Sequence, residues 1–218
     1  MIIAIDGPGG AGKSTVARAL ARRLQLSYLD TGAMYRAFAL ATLDAGADPA
    51  DGEAVLRLGA ARDLVIEPGG GDRLTVRLGD EDVTDRIRAD GVSIAASIVA
   101  SHPRVRDLLV TRQQAILATG DWVVDGRDIT TRVCPNADVR VFLTAVPAER
   151  ARRRHAELVA RGDVADASEV AADMAERDRR DTTRTADPLR VAAGTTVIDT
   201  TGLSIDAVVD QLAALAEH

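Results

Sequence analysis

The sequence predicts a single α/β domain of three layers, with a central parallel sheet of five strands. Three observations predict it. Short apolar runs, most of them rich in β-branched residues, recur along the chain, at Ile2–Ile5, Tyr28–Leu29, Trp122–Val124, Val139–Leu143 and Thr196–Ile198. Amphipathic helical patterns separate them, as parallel strands require. And the first run passes directly into a glycine-rich loop and a helix. With 218 residues, of which 46% are apolar and 2% aromatic, the chain can fill such a core, but from Ala, Val, Leu and Ile.

Ile2, Ile3 and Ile5 read as a buried strand. Gly7, Pro8, Gly9, Gly10, Ala11, Gly12, Lys13 and Ser14 then fit G-x-x-x-x-G-K-[ST], with Thr15 following. This is the phosphate-binding loop, in which glycines let backbone N–H groups face a nucleotide's phosphates. The helix opening near Lys13 adds the positive end of its dipole. Lys13, the only lysine in the chain, supplies a charge for a nucleotide's β- and γ-phosphates, and the Ser14 hydroxyl can ligate Mg²⁺. Val16, Ala17, Leu20, Ala21 and Leu24 form the buried stripe of that helix.

Tyr28 and Leu29 read as the second strand, with Asp30 and Thr31 at its carboxyl end, where open α/β sheets bind ligands. Met34, Ala37, Phe38 and Ala41 mark the next helix. Arg36 lies in its first turns. Its spacing fits a surface arginine beside a Thr cap as well as an arginine at the sheet edge. A turn-rich break over 44–52 precedes a short helix to about residue 62.

Leu64–Ile66, a turn over 68–72 and the alternating run 73–78 read as a β-hairpin, with Gly79–Asp82 as a turn and Val83–Thr84 continuing the small sheet. This β-rich island, approximately residues 63–92, is an insertion expected to cover the site. Helical character returns near Ile87. Ser97 alone fits a helix serine bonded to its own backbone. Pro103 starts a helix with Val105, Leu108, Leu109 and Ile116 inward and Arg104, Arg106 and Arg112 along it.

The strand Trp122–Val124 ends in Asp125-Gly-Arg-Asp128. An apolar strand ending in Asp places a carboxylate for Mg²⁺, directly or through water, and Asp30 competes with Asp125 for that role. Arg127 and Asp128 share the loop. Pro147 opens a helix with Arg150, Arg152, Arg153 and Arg154. The last three span about 200° of a helix, so at least one is expected to face the site. Residues 161–168 read as a loop closed by Ser168 as an N-cap, and approximately 150–167 as a short helical lid. Arg177, Asp181 and Arg184 fall within about 60° of one another on the next helix. That spacing alone fits an exposed salt-bridged face slightly better than a site. Ser204 caps a last helix with Ile205, Val208, Val209, Leu212 and Leu215 inward.

The net charge of −6 argues against nucleic acid as a partner. One cysteine, Cys134, excludes an internal disulfide. His102, His155 and His218 lack metal-ligand spacing and read as solvated surface positions. No secretory segment or long apolar span is legible, so the expectation is a cytoplasmic protein with no membrane partner, acting as a monomer.

Residues Ile5–Thr15, Asp30-Thr-Gly-Ala-Met-Tyr-Arg36, Ala96-Ser97, Pro103–Arg106, Asp125–Asp128 and Glu176–Asp181 with Arg184, in this order, resemble the bacterial cytidylate kinases nearly end to end. Ser14 stands where some relatives carry glycine, and it restores the hydroxyl ligand. The resemblance implies transfer of the γ-phosphoryl group of ATP to CMP or dCMP with Mg²⁺. It implies a monophosphate-binding insertion and a lid on the P-loop fold. It implies that Thr31, Arg36 and Arg127 hold the acceptor, and that Ser97, Arg106 and Asp128 read cytosine. Arg177, Asp181 and Arg184 would bind the ribose and line the acceptor side, and Arg153 or Arg154 would act on the moving phosphoryl group. Other nucleoside monophosphate kinases and P-loop metabolite kinases are the near alternatives. A GTP switch would carry an Asn-Lys-x-Asp motif, which this chain lacks.

Overall fold

The structure is a computed structural model, and it describes residues 1–68 and 74–217. Of the turn predicted over 68–72, residues 69–72 lie outside the described residues, as do Arg73 and His218, and Pro68 ends a strand.

Strand β1 (Ile2–Asp6) leads into α1 (Lys13–Leu24), β2 (Ser27–Asp30), α2 (Thr31–Asp44) and α3 (Gly52–Ala60). The insertion supplies β3 (Leu64–Pro68), β4 (Leu74–Leu78), β5 (Glu81–Asp82), a 3-10 turn at Arg86–Arg88 and α4 (Asp90–Val99). Then follow α5 (Pro103–Leu117), β6 (Trp122–Gly126), a π-helical turn at Ile129–Val133 and β7 (Val139–Thr144). Helices α6 (Pro147–Ala160) and α7 (Ala167–Thr183), strand β8 (Thr196–Asp199) and α8 (Ile205–Ala216) complete the chain.

The main sheet is five-stranded and parallel, in the order β2-β6-β1-β7-β8, as predicted. Its register sets Asp6 beside Gly126 and Asp30 beside Asp125, so the strand ends that carry function lie at one edge. Alternation along β1 splits the core. Ile3 and Ile5 pack with Val16 and Leu20 of α1 and Val208 and Leu212 of α8. Ala4 faces the other way, toward Leu29, Val110, Leu117 and Ile129. Burying one such Leu or Ile contributes about 1.5–3 kcal/mol.

A further cluster joins α2, α4 and α5 to the inward residues Val76 and Leu78 of the small sheet. That sheet is antiparallel, in the order β3-β4-β5. Its third strand is Glu81–Asp82, inside the predicted turn, rather than Val83–Thr84. The Thr84 side chain instead accepts from the Val76 N–H at 2.9 Å, and Val83 donates to the Val76 carbonyl, which ends the ladder.

Other expectations shift by local chemistry. Asp166, not Ser168, caps α7, because its carboxylate accepts from the N–H groups of both Ser168 and Glu169. Asp30, not Thr31, caps α2, accepting from Ala33 N–H at 3.1 Å. Ser204 caps α8 as expected, but Ile205 is 48% exposed at the cavity rim rather than in the core. His102 and His155 are half-buried, and their Nε2 atoms meet the carbonyls of Pro49 and Ala165 at 2.8 and 3.0 Å. No helix among the described residues is long and apolar enough to cross a membrane.

Candidate active site

A cavity of about 630 Å³ runs across the carboxyl edge of the main sheet, from the glycine-rich loop to α4 and α7. Strand β1 delivers the loop. A side chain at Gly7 would place its Cβ 2.0 Å from the Leu143 carbonyl oxygen, so the chain can pass β7 only as glycine. Gly12, at φ 86°, turns into α1 in the left-handed region that glycine adopts without strain. The free N–H groups of α1's first turn therefore open onto the cavity. Thr15 is exposed on that turn.

Lys13 is buried, and its ammonium donates to the Pro8 carbonyl at 2.8 Å. Burial, followed by the neighbouring charge of Arg127, pulls its pKa well below the usual lysine range. Ser14 Oγ donates to Asp125 Oδ2 at 2.9 Å, and Tyr28 OH donates to Asp125 Oδ1 at 2.8 Å. Burial, with the Asp30 charge adding to it, pushes the Asp125 carboxyl up to about 6. A buried carboxylate joined to a loop hydroxyl is an all-oxygen donor pair of the kind a hard divalent cation takes. Asp30 is committed elsewhere, pairing with Arg36 at 2.6 Å. Thr31 Oγ1 donates to the Asp125 carbonyl at 2.8 Å, which locks β2 to β6 at the cavity floor.

The opposite wall is built from ion pairs. Asp181 is the hub. Arg127 Nε donates to it at 3.0 Å, and Arg184 and Arg177 lie at 3.7 and 4.0 Å. Burial alone would raise the Asp181 carboxyl, but the charges of Arg127, Arg177 and Arg184 outweigh it and the net shift is downward. Arg177, desolvated beside Arg127, is lowered to about 10. So this face of α7 turns inward, while Glu176 and Arg179 pair on the outer face at 2.7 Å. Helix α7 ends at Thr183. Arg184 lies beyond it in extended backbone, where its Nε and Nη2 donate to the Asp187 carbonyl at 2.8 and 2.6 Å.

Arg106 is 1% exposed and is the largest fully buried side chain. It pairs with Asp128, pairs with Asp187 at 3.0 Å and donates to the Ala100 carbonyl at 3.1 Å. Its guanidinium sits 5.5 Å from the Tyr35 ring centre. Ser97 lines the same wall, and its Oγ is buried without a partner, as is the Tyr35 hydroxyl. Ser97 is therefore not spent on its own helix.

The lid arginines separate as the helix angle requires. Arg152 points outward to Glu149 at 2.8 Å. Arg153 reaches back over the loop, donating to Thr200 Oγ1 and its carbonyl at 2.9 and 2.7 Å. Arg154 pairs with Glu157 at 3.1 Å, and its charge also bears on Arg177 across the cavity.

Several residues of this site escaped the sequence reading. Arg150 is buried and donates to the carbonyls of Gly9 and Ala145 at 3.1 and 3.0 Å, and to Asp178 at 2.6 Å. It ties the glycine-rich loop to α6 and α7. Buried Asp6 accepts from the N–H groups of Ile129 and Thr130 at 2.8 and 2.7 Å, and so holds the segment after Asp128. Its position at the end of a buried strand was a usable signal. Asp187, at φ 47°, carried none, because its carboxylate meets Arg106 across 81 residues of chain.

A phosphate-binding loop at one end of a cavity and an arginine-rich wall at the other define a P-loop kinase. The chain belongs to the cytidylate kinase family. The model of that family, described as cytidylate kinase, matches residues 3–218. The cytidylate kinase of Pelotomaculum thermopropionicum is 48% identical over 212 residues, covering 97% of this chain and 94% of that one. That of Geobacillus kaustophilus is 48% identical over 210 residues, covering 96% and 93%. A gluconokinase structure from Sinorhizobium meliloti shares the fold at a TM-score of 0.51 and 17% identity, over 99% of this chain and 91% of that one.

Proposed function

We propose that the protein transfers the γ-phosphoryl group of ATP to CMP or dCMP, giving ADP and CDP or dCDP. One observation carries the choice of acceptor: the unpartnered, buried Ser97 hydroxyl stands in the same cavity wall as the Arg106–Asp128 pair. Cytosine offers an amino donor, a ring-nitrogen acceptor and a carbonyl acceptor. Asp128 accepts from the amino group, while Arg106 and Ser97 complement the rest. Uracil would set a carbonyl against the Asp128 carboxylate, a buried mismatch that such sites reject strongly.

The donor's phosphates lie in Gly7–Thr15 with Lys13 on the β- and γ-groups. Ser14 and Asp125 would hold Mg²⁺, which when bound neutralises charge on the phosphates. The acceptor's phosphate meets Arg36 and Arg127 above the floor that Thr31 fixes, and Asp181 with Arg177 and Arg184 faces the ribose. Residues 63–92 act as the monophosphate-binding region and 150–167 as the lid. From the lid, Arg154 reaches the moving phosphoryl group, because its charge already bears on the acceptor wall, whereas Arg153 is spent on Thr200 at the donor end. The acceptor is itself a phosphate, so no general base is needed. Positioning, charge and exclusion of water supply the rate.

The test is ADP release with Mg²⁺-ATP against CMP, dCMP, UMP, AMP, GMP and dTMP, for wild type and Asp128→Ala. CMP and dCMP lead in wild type, and the variant loses that preference. UMP or AMP matching CMP in wild type would remove the cytosine assignment and leave only a monophosphate kinase.

A further inference from the structure

One nitrogen of Arg150 bridges the two ends of the cavity. Its Nη1 donates to the Gly9 carbonyl of the glycine-rich loop at 3.1 Å and to Asp178 Oδ2 of α7 at 2.6 Å. A terminal guanidinium nitrogen carries two hydrogens, so each partner takes one. Arg150 Nε donates to the Ala145 carbonyl at 3.0 Å, which fixes the fork to the turn between β7 and α6.

The loop bond has a consequence for the donor. No peptide bond among the described residues is cis, and a planar trans peptide points its C=O and N–H in opposite directions. The guanidinium that holds the Gly9 carbonyl therefore aims the Gly10 N–H away from itself. That N–H has no partner in the chain among the described residues, and it stands in the run offered to the donor's phosphates. Gly10 is also packed tightly here. A Cβ on it would lie 2.7 Å from the Arg150 carbonyl oxygen and 2.9 Å from Met174 Cε, so the loop cannot slide without moving α6 and α7.

The α7 bond has a consequence for the acceptor. Asp178 stands between Arg177 and Asp181, the side chains of the acceptor wall, and one turn beyond Met174. Its second carboxylate oxygen is buried without a partner. The wall and the loop thus share one guanidinium. Phosphoryl transfer here relies on placing two phosphates against each other, and a misplacement of about 1 Å can cost about 10²-fold.

We propose that Arg150, held by Asp178, is a positioning residue that sets the donor loop in register with the acceptor wall of α7. This rests on the donor and acceptor ends being those described above. Arg150 touches neither substrate and acts through the Gly9–Gly10 peptide on one side and Asp178 on the other. The Asp178 carboxylate is 23% exposed, so solvent screens the pair and its loss need not unfold the chain.

The experiment compares wild type with Arg150→Met, Arg150→Lys and Asp178→Ala. Three quantities are read: transfer from Mg²⁺-ATP to CMP, hydrolysis of Mg²⁺-ATP with no acceptor, and calorimetric affinity for CMP and for a non-hydrolysable ATP analogue. Arg150→Met keeps the apolar stem and removes the bridging hydrogens. Its kcat for transfer should fall by about 10²-fold, while hydrolysis, in which water needs no alignment with α7, stays within about threefold. CMP affinity stays within about twofold, and Arg150→Lys recovers part of the lost kcat. Asp178→Ala leaves both carbonyl bonds in place and should lower kcat by about tenfold with the same selectivity, which decides the matter if Arg150→Met does not fold. Transfer, hydrolysis and both affinities falling together in Asp178→Ala would make the pair merely structural and overturn the inference. So would an unchanged kcat. Wild type that phosphorylates no monophosphate overturns the acceptor reading itself, an outcome distinct from both.

Discussion

At the donor end of the cavity, residues 7–15 present backbone N–H groups from one unbroken stretch, and Lys13 and Ser14 are the side chains that matter most. At the acceptor end, Arg36, Ser97, Arg106, Arg127, Asp128, Asp181 and Arg184 come from α2, α4, α5, the loop after β6, α7 and the segment beyond it, and ion pairs hold all of them but Ser97. The donor end binds by chain path, which glycines set. The acceptor end binds by a preformed ion-pair lattice, which needs the whole fold. The difference teaches where each end is vulnerable. A donor-end change should alter catalysis and leave the fold alone. An acceptor-end change should alter both.

The largest expected effect is at Lys13. Lys13→Met removes a charge whose partner in the free protein is the Pro8 carbonyl. Its kcat should fall by about 10²–10³, the range for losing one donor to transition-state charge. CMP affinity by calorimetry should stay within about twofold. An equal loss of CMP affinity would erase the distinction between the two ends.

Next is the hub of the lattice. Asp181→Asn keeps the shape but leaves Arg127, Arg177 and Arg184 without their shared counter-charge. Breaking a buried pair of this kind costs about 3–5 kcal/mol, and the retained amide lessens it. The folded carboxyl lies below its unfolded value of about 3.9. Its stabilisation is therefore fully present above that value and lost as pH falls through the lower, folded one. Denaturant melts of wild type and Asp181→Asn should differ most near pH 7, and the gap should narrow as pH falls below the unfolded value of about 3.9. A constant gap across that range would locate the effect in packing rather than charge.

The same contrast explains what was legible in the chain. The donor loop is local, so its motif, its strand and its helix were all readable, as were the five strands of the main sheet. Arg36, Ser97 and the Arg177 face were ambiguous from spacing, because a helix period says which residues share a face and not what that face meets. Arg150 and Asp187 were missed because their partners lie far along the chain, whereas Asp6, at the end of a buried strand, carried a signal that went unread. Gly9 and Arg150 are 141 residues apart, and no local pattern marks a carbonyl that a distant guanidinium will find. The third strand of the small sheet was misplaced by two residues, because a side chain, Thr84, took over a backbone bond.

The smallest effect sharpens the comparison most. Ser97 Oγ is buried and unpaired, so in the free protein it contributes nothing and costs desolvation. Ser97→Ala should leave the melting temperature unchanged or raise it, where every other acceptor-end variant lowers it. If the hydroxyl serves the base, KM for CMP should rise by about five- to tenfold, the worth of one neutral hydrogen bond, with kcat and the KM for ATP little changed. Opposite signs in stability and binding are what a group kept for a ligand produces. A lower melting temperature with KM unmoved would show instead that Ser97 belongs to the lattice and that the acceptor end reads its base through Arg106 and Asp128 alone.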